Sequence, residues 1–290
     1  MRLFTPFFAI PKLGGVVLLK KNADLIIDSL LANDQVLDIG GWHTPFNRAN
    51  YVIDVMPYET RGCGGHFGPN REYFTKETWI IHDLCSRKRL PFKDKEVEFV
   101  ICSHVLEDIR DPIWVCSELM RVAKRGYIEV PSRIVEQTMG LDGEYYAGYY
   151  HHRWLVDIEG NRITFRFKSH LIHEMWQCHF PRSFLEKVAE DERVRWLFFE
   201  NHFDALEAIQ ISKIETEREL MLFVNKHYQY PKFYYMFDSE WSGPKPQITL
   251  KKVIKKLIRS LPGLRNFRRA SPINPDLWEG LPEIESRADT

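Results

Sequence analysis

Four short apolar runs in the first part of the chain each end in a polar side chain or a glycine. They cover residues 36–41, 51–55, 79–84 and 99–104. Runs of this kind are typical of buried strands in a parallel sheet, and ligands of open α/β sheets bind at the carboxyl ends of such strands. The pattern therefore predicts a ligand site bordered by the polar residues near these ends, Asp38, Asp54, Asp83 and His104.

Apolar spacing and turn residues predict the remaining elements. Helical spacing indicates a helix over 16–31 and another over 112–122, with Asp111 as the N-cap of the second. The segment 42–50 between the first two strands is too short for the usual crossover helix of a parallel sheet. Further along, the pattern predicts a fifth strand at 127–131, a hairpin at 153–158 and 162–167, a helix at 181–190, and the last two strands of the sheet at 193–199 and 220–224.

Two motifs flank the fourth strand and carry a family resemblance. Leu90-Pro91-Phe92 precedes this strand, and His104-Val105-Leu106-Glu107 follows it. With the acidic strand ends and the glycine turn, residues 34–132 resemble a class I S-adenosylmethionine-dependent methyltransferase. The resemblance implies a Rossmann-like, mostly parallel sheet flanked by helices. To this the sequence pattern adds a hairpin and helical insertion and a basic C-terminal helix.

The resemblance also implies a role for each end of the first two strands and of the fourth. Gly40 and Gly41 would let the backbone pass close to the ribose and methionine parts of S-adenosylmethionine. Asp38 would face the methionine amino group. Asp54 could accept hydrogen bonds from both ribose hydroxyls through its two oxygens. His104 would line the reaction centre.

The residues at the end of the third strand are expected to bind the adenine end of the cofactor. By the same resemblance, Asp83 would accept a hydrogen bond from the adenine amino group, and Leu84 would pack on the ring. Trp42 stands where the family pattern has a second glycine. This departure predicts that Trp42 either closes over the cofactor or packs under a rebuilt loop.

Methyl transfer to a hydroxyl needs in-line geometry and a base that takes the proton. Imidazole titrates near neutral pH, so His104, His151 and His152 are the candidate catalytic residues. The expected acceptor is a hydroxyl of a small molecule or of a glycan intermediate. An aromatic cluster next to the histidines could form its pocket or could equally be a dimer surface: Tyr145, Tyr146, Tyr149, Tyr150 and Trp154.

Composition excludes several other kinds of site. The chain has 290 residues with 40 basic and 40 acidic side chains, so its net charge favours no polyanionic partner. The five cysteines form no Cys-x-x-Cys pair, and His173-Glu174 lies in no His-Glu-x-x-His motif, so no metal is expected. We also expect no Walker loop chemistry, no nucleic-acid partner and a cytoplasmic location.

The C-terminal part differs from the rest. Residues 1–240 are expected to form the methyltransferase domain, with the cofactor half at 34–132 and a substrate-side insertion at 133–180. Residues 241–290 form a tail, in which 248–269 pair an apolar helical stripe with lysines and arginines. Such a helix packs on the domain or lies on an anionic membrane surface. Two alternative functions therefore stay open: a non-catalytic binding or scaffold protein with this fold, and a peripheral membrane protein acting through its tail.

Overall fold

The computed structural model of this chain describes residues 18–62 and 71–230. Nine strands run through these residues: β1 (Val36–Ile39), β2 (Tyr51–Asp54), β3 (Trp79–Ile81), β4 (Val97–Ser103), β5 (Ala123–Pro131), β6 (Trp154–Glu159), β7 (Arg162–Phe167), β8 (Val194–Glu200) and β9 (Asp204–Glu207). The helices are α1 (Lys20–Ser29), α2 (Pro112–Val122), α3 (Arg133–Glu136), α4 (Leu171–Glu174), α5 (Arg182–Leu185) and α6 (Lys213–His227).

Six of these strands form one sheet in the order β3-β2-β1-β4-β5-β8. The first five in chain order are parallel, and β8 runs antiparallel to β5. The structure confirms the predicted mostly parallel α/β sheet. The strand order reverses between β1 and β4, which is the place where open α/β sheets bind their ligands.

Helices cover both faces of this sheet because side chains alternate along each strand. On one face, Ile26 of α1 packs in a buried cluster with Phe99 of β4. On the other face, Leu119 of α2 packs in a cluster with Val100 of β4. Helix α2 begins where the sequence predicts, since the Asp111 carboxylate accepts a hydrogen bond from Trp114 N at 3.0 Å.

The connection from β1 to β2 contains no helix, which confirms the prediction from its length. Side chains hold this loop instead. Phe46 N donates to Oδ2 of Asp38 at 2.8 Å, and Val36 N donates to Oδ1 of Asn50 at 2.9 Å. Two side chains, the Asp38 carboxylate of β1 and the Asn50 amide at the end of the loop, thus accept hydrogen bonds from backbone N–H groups. In a helix such bonds would be made within the backbone.

A second sheet has the order β6-β7-β9 and contains the predicted hairpin, which turns at Gly160 and Asn161. Its buried residues Val156, Ile163 and Phe165 belong to the same core cluster as α2. Strands β6 and β7, with α3 and α4, lie within the insertion predicted at 133–180, whereas β9 joins this sheet from outside that range.

Two predicted elements differ in the structure. Residues 220–224 are not a strand but the middle of α6, so that prediction was wrong. Ser212 caps this helix by accepting from Glu215 N at 3.3 Å, and the buried Leu220 and Val224 lie four residues apart on its inner face. The predicted helix at 181–190 is confined to the single turn of α5.

The basic helix at 248–269 and the rest of the tail lie outside the described residues, as does its predicted contact with a membrane surface. Within the described ranges, the helices are too short or too polar to cross a bilayer.

Candidate functional site

A cleft of about 490 Å³ lies at the carboxyl edge of the parallel strands, beside the reversal between β1 and β4. Several of the residues predicted from the sequence line it: Gly40, Trp42, Asp54, Asp83, Leu84, His104 and His151. Three other predicted residues do not line this cleft: Asp38, Gly41 and His152. Strand ends that are separate in the sequence therefore meet at one cavity, as the parallel arrangement requires.

Gly40 is required by both its backbone and its surroundings. Its φ of +77° lies in the left-handed region, and a Cβ built on it would come within 2.2 Å of Cγ2 of Val105. Gly41 is required for a different reason, because a Cβ there would approach Oδ2 of Asp38 at 2.4 Å. The first glycine therefore shapes the cleft wall, whereas the second makes room for the Asp38 carboxylate.

Asp38 lies behind the cleft and is only 4% exposed. Burial raises its pKa to about 7; the hydrogen bond from Phe46 N opposes this rise, and the nearby Asp54 adds to it. The side chain thus holds the β1–β2 loop with a carboxyl group that titrates near neutral pH. Its predicted contact with a methionine amino group stays a prediction.

Asp54 lines the cleft at the end of β2. Its Oδ1 accepts from Met56 N at 2.8 Å, and its Oδ2 accepts from Trp42 N at 3.1 Å. Each carboxylate oxygen has a second lone pair, so two further hydrogen bonds are available to a ligand diol. Burial raises the pKa of Asp54.

The Trp42 ring packs in the rebuilt loop, which is one of the two positions expected for it. Nε1 donates to the carbonyl and hydroxyl oxygens of Thr60 at 2.8 and 3.1 Å. Elsewhere in the cleft lining, Oδ1 of Asp83 accepts from Cys85 N at 2.8 Å, and Leu84 is buried. Asp83 itself is exposed and accessible to a ligand.

His104 lies between two buried carboxylates. Its Nε2 is 3.2 Å from Oε1 of Glu129, and its Nδ1 is 3.6 Å from Oε1 of Glu107. Burial alone would lower the pKa of His104, but these two carboxylates outweigh it and raise the pKa to about 9. This pKa favours the protonated imidazole at neutral pH, a form that has no lone pair with which to accept a proton. The predicted role of His104 as a base stays a prediction.

His151 and His152 differ from His104 and from each other. His151 lines the cleft, and burial together with the nearby His152 lowers its pKa. The His152 ring lies deeper, where its Nδ1 is 2.7 Å from Oε1 of the buried Glu136. Burial opposes the charged form of His152, but Glu136 outweighs it and raises the pKa. Of the three candidates, His151 is the one that offers a neutral imidazole to the cleft.

Sequence reasoning missed several charged residues that support this site. Glu129 is fully buried in β5 and accepts hydrogen bonds from the Tyr127 hydroxyl and from Leu19 N. Glu136 of α3 pairs with Lys168 at 2.7 Å. Asp108 lines the cleft and follows Glu107 in the sequence. Two signals in the sequence could have revealed them. Glu129 is an acid inside the apolar strand 127–131, and Glu107 and Asp108 are adjacent acids after the fourth strand.

The cleft suits a cationic nucleoside in size and charge. Its volume lies within the range of about 300–1,000 Å³ that is usual for small-molecule sites. Asp54 and Asp83 border it, while the positive His104 is balanced by Glu107 and Glu129. The residues present therefore fit a ligand with a ribose, an adenine and a sulfonium centre.

Comparison with known proteins gives one family match. Residues 51–128 match a family described as "Methyltransferase domain". The matched segment runs from β2 into β5 and includes Asp54, Asp83 and His104, but not the glycine turn. No curated protein matches the sequence at a significant level.

Solved structures include similar chains. One is a Haloferax volcanii complex between the Trm112 methyltransferase activator and a protein assigned as a methyltransferase; identity is 18%, the TM-score is 0.29, and the match covers 39% of this chain and 51% of that one. Another is an S-adenosylmethionine-dependent methyltransferase from Mesorhizobium loti, with 16% identity, a TM-score of 0.29, and coverage of 50% and 64%. The match thus spans between half and two thirds of the length of these chains. The interpretation of this chain as a methyltransferase therefore depends on the family match and on the sheet described above.

Proposed function

We propose that this chain, whose residues 51–128 match a methyltransferase domain family, moves a methyl group from S-adenosylmethionine onto a hydroxyl of a small molecule or of a glycan intermediate. The observation that carries the proposal is the cleft at the β1–β4 reversal. Asp54, Asp83 and His104 meet there although they come from three different strand ends.

When bound, S-adenosylmethionine supplies an electrophilic methyl group on a positively charged sulfur. Asp54 binds the ribose hydroxyls with the lone pairs that Trp42 N and Met56 N leave available. Asp83 and Leu84 hold the adenine, and Gly40 lets the backbone approach the ligand. The carboxylates of the cleft favour the positively charged cofactor over its neutral product, since opposite charges attract.

The acceptor hydroxyl enters beside His151 and Asp108. Both line the cleft, and His151 presents a neutral ring whose lone pair is available to the acceptor. His104 stays protonated and orients the site through Glu129 instead of accepting the proton.

The aromatic residues next to His151 support a sugar or a similar flat-faced acceptor. The exposed Tyr150 ring lies 5.1 Å from the His151 ring in an edge-to-face arrangement, and Tyr149 lies 5.9 Å from it. Aromatic faces beside a polar group are a common platform for ligands with one apolar surface and several hydroxyls.

Two measurements test the proposal in order. Calorimetry with S-adenosylmethionine should show saturable binding to the full chain; no detectable binding would leave a scaffold protein with this fold. Release of S-adenosylhomocysteine should then be measured against panels of hydroxylated small molecules and oligosaccharides. Turnover with amine or thiol acceptors alone would overturn the hydroxyl assignment and keep the methyl transfer.

A further inference from the structure

Three potential metal ligands converge at the wall of the cleft. Asp108, His151 and His152 each offer one oxygen or nitrogen atom, and these atoms all lie within 4.8 Å of one another. Among the described residues, this is the group of three such side chains that comes close enough to share an ion. Asp108 and His151 also line the cleft itself.

The backbone holds the two contributing segments together. Arg153 N and Trp154 N both donate to the carbonyl oxygen of Glu107, at 2.7 and 3.3 Å. The residue next to Glu107 is therefore fixed opposite the two histidines that precede Arg153. Main-chain pairing between distant parts of the sequence therefore brings the two segments of the cluster together.

His152 is oriented as a metal-binding histidine usually is. Its Nδ1 lies 2.7 Å from Oε1 of Glu136, so Nε2 points the other way, 3.9 Å from Oδ1 of Asp108. A carboxylate behind a ligand histidine fixes the ring and keeps the second nitrogen for the ion. Lys168 lies 2.7 Å from the other Glu136 oxygen and shares the charge of this carboxylate.

Asp108 supplies the second, independent observation. Its Oδ1 is buried and has no hydrogen-bond partner within the described part of the chain, although Nε2 of His152 lies 3.9 Å away. A buried carboxylate oxygen without a donor is costly, because it has lost water and gained nothing in exchange. A cation between Asp108 and the two histidines removes this cost.

From these contacts we propose that Asp108, His151 and His152 bind a divalent first-row transition-metal ion. Two imidazoles and one carboxylate are the donor set that such ions prefer over Mg²⁺ or Ca²⁺. Metal–nitrogen and metal–oxygen bonds of about 2.0–2.2 Å require the present separations to shorten by small side-chain rotations. The sequence suggested no metal because the ligands form no contiguous motif.

Three protein ligands leave coordination positions open, as in catalytic metal sites. The open side faces the cleft, where the proposed acceptor enters, so the inference rests on the proposed function for its role in the reaction. A hydroxyl bound to the ion loses its proton more easily. With the ion bound, the lone pair of His151 is on the metal and no longer serves the acceptor. The acceptor oxygen then forms a bond to the methyl carbon, the carbon–sulfur bond breaks with its electron pair on sulfur, and the proton passes to water in the cleft.

The test measures metal binding without turnover. The full chain, stripped with a chelator, is titrated with Zn²⁺ by calorimetry and with Co²⁺ by absorption spectroscopy. We expect one ion per chain and visible Co²⁺ bands of a site with nitrogen and oxygen ligands. Asp108→Asn and His151→Ala should each weaken binding by at least about tenfold, and Glu136→Gln by about 10- to 100-fold through the orientation of His152.

His43→Ala is the matched control, since His43 lines the same cleft outside the cluster; its Zn²⁺ affinity should equal that of the unaltered chain. Thermal unfolding confirms that each variant is folded. Equal Zn²⁺ affinity in His151→Ala, Asp108→Asn and the unaltered chain overturns the site, as does no binding at all. S-adenosylmethionine titrations of the same samples separate the two proposals: cofactor binding without Zn²⁺ binding rejects only the metal, and Zn²⁺ binding without cofactor binding rejects only the methyltransferase function.

Discussion

Nε2 of His104 lies 3.2 Å from Oε1 of Glu129, at a position where the Glu129 side chain is fully buried. Glu129 also holds Tyr127 and Leu19, which ties the end of β4 to the segment before α1. A residue that looks like a catalytic base in the sequence is thus part of a buried ionic network. The charged form of its ring is stabilised by the carboxylates of Glu129 and Glu107.

Replacing Glu129 with Gln should lower the pKa of His104 from about 9, because one of the two carboxylates that stabilise the imidazolium is lost. The raised pKa contributes stability that is complete below about pH 6.5 and disappears as the pH rises to about 9. Stability of the Glu129→Gln variant should therefore depend less on pH between about 6.5 and 9. NMR titration of the His104 ring measures the pKa, and Glu98→Gln, at the partly exposed pair with Lys124, is the control. A normal pKa for His104 in the unaltered chain contradicts the network.

The Asp38 carboxyl predicts a second dependence on pH. Its pKa is raised from 3.8 to about 7, so the folded state keeps a proton that the unfolded chain releases, and stability falls as the pH rises through this window. Asp38→Asn should remove the fall, which amounts to about 4 kcal/mol at most. Urea unfolding at pH 4 and pH 8 measures it. The exposed Asp24→Asn should behave like the unaltered chain, and an unchanged difference in Asp38→Asn rejects the raised pKa.

The sheet could be predicted because each of its strands carries a local signal. The runs at 36–41, 51–55, 79–84 and 99–104 are short and apolar, and their order along the chain is enough to place their carboxyl ends at one edge. Residues 220–224 failed this reasoning because a short apolar run has no distinct period. The cap at Ser212, eight residues earlier, decides that the segment is helical.

The candidate site was predictable only in part. Most of the residues that line the cleft lie at or after the ends of predicted strands, whereas the residues that hold the histidines in place come from distant parts of the sequence. Asp54 and Asp83 stand at strand ends and were found from that position alone. The partners of the histidines come from remote segments: Glu136 is 16 residues from His152 and 32 from Lys168. No spacing rule connects such residues, so the protonation of His104 and the orientation of His152 required the folded chain.

Alanine substitutions at two glycines with positive φ separate the cost of backbone strain from the cost of steric overlap. Gly40 and Gly160 have φ of +77° and +57°, but only at Gly40 would a Cβ meet a neighbour, Cγ2 of Val105 at 2.2 Å. Gly160→Ala should destabilise by about 1 kcal/mol. Gly40→Ala should cost about 1–3 kcal/mol more, because it also overpacks the cleft wall. Equal losses in chemical denaturation contradict the contact with Val105.

Asp54→Ala tests the ribose contact most directly. Loss of the hydrogen bonds to both hydroxyls should weaken S-adenosylmethionine binding by about 1–3 kcal/mol, as measured by calorimetry. S-adenosylhomocysteine carries the same ribose but no positive sulfur, so its affinity should fall by a similar factor. A loss confined to S-adenosylmethionine would instead assign Asp54 to the sulfonium charge. Unchanged affinity for both ligands would reject any contact, while the exposed Asp24→Ala shows the effect of removing a carboxylate away from the cleft.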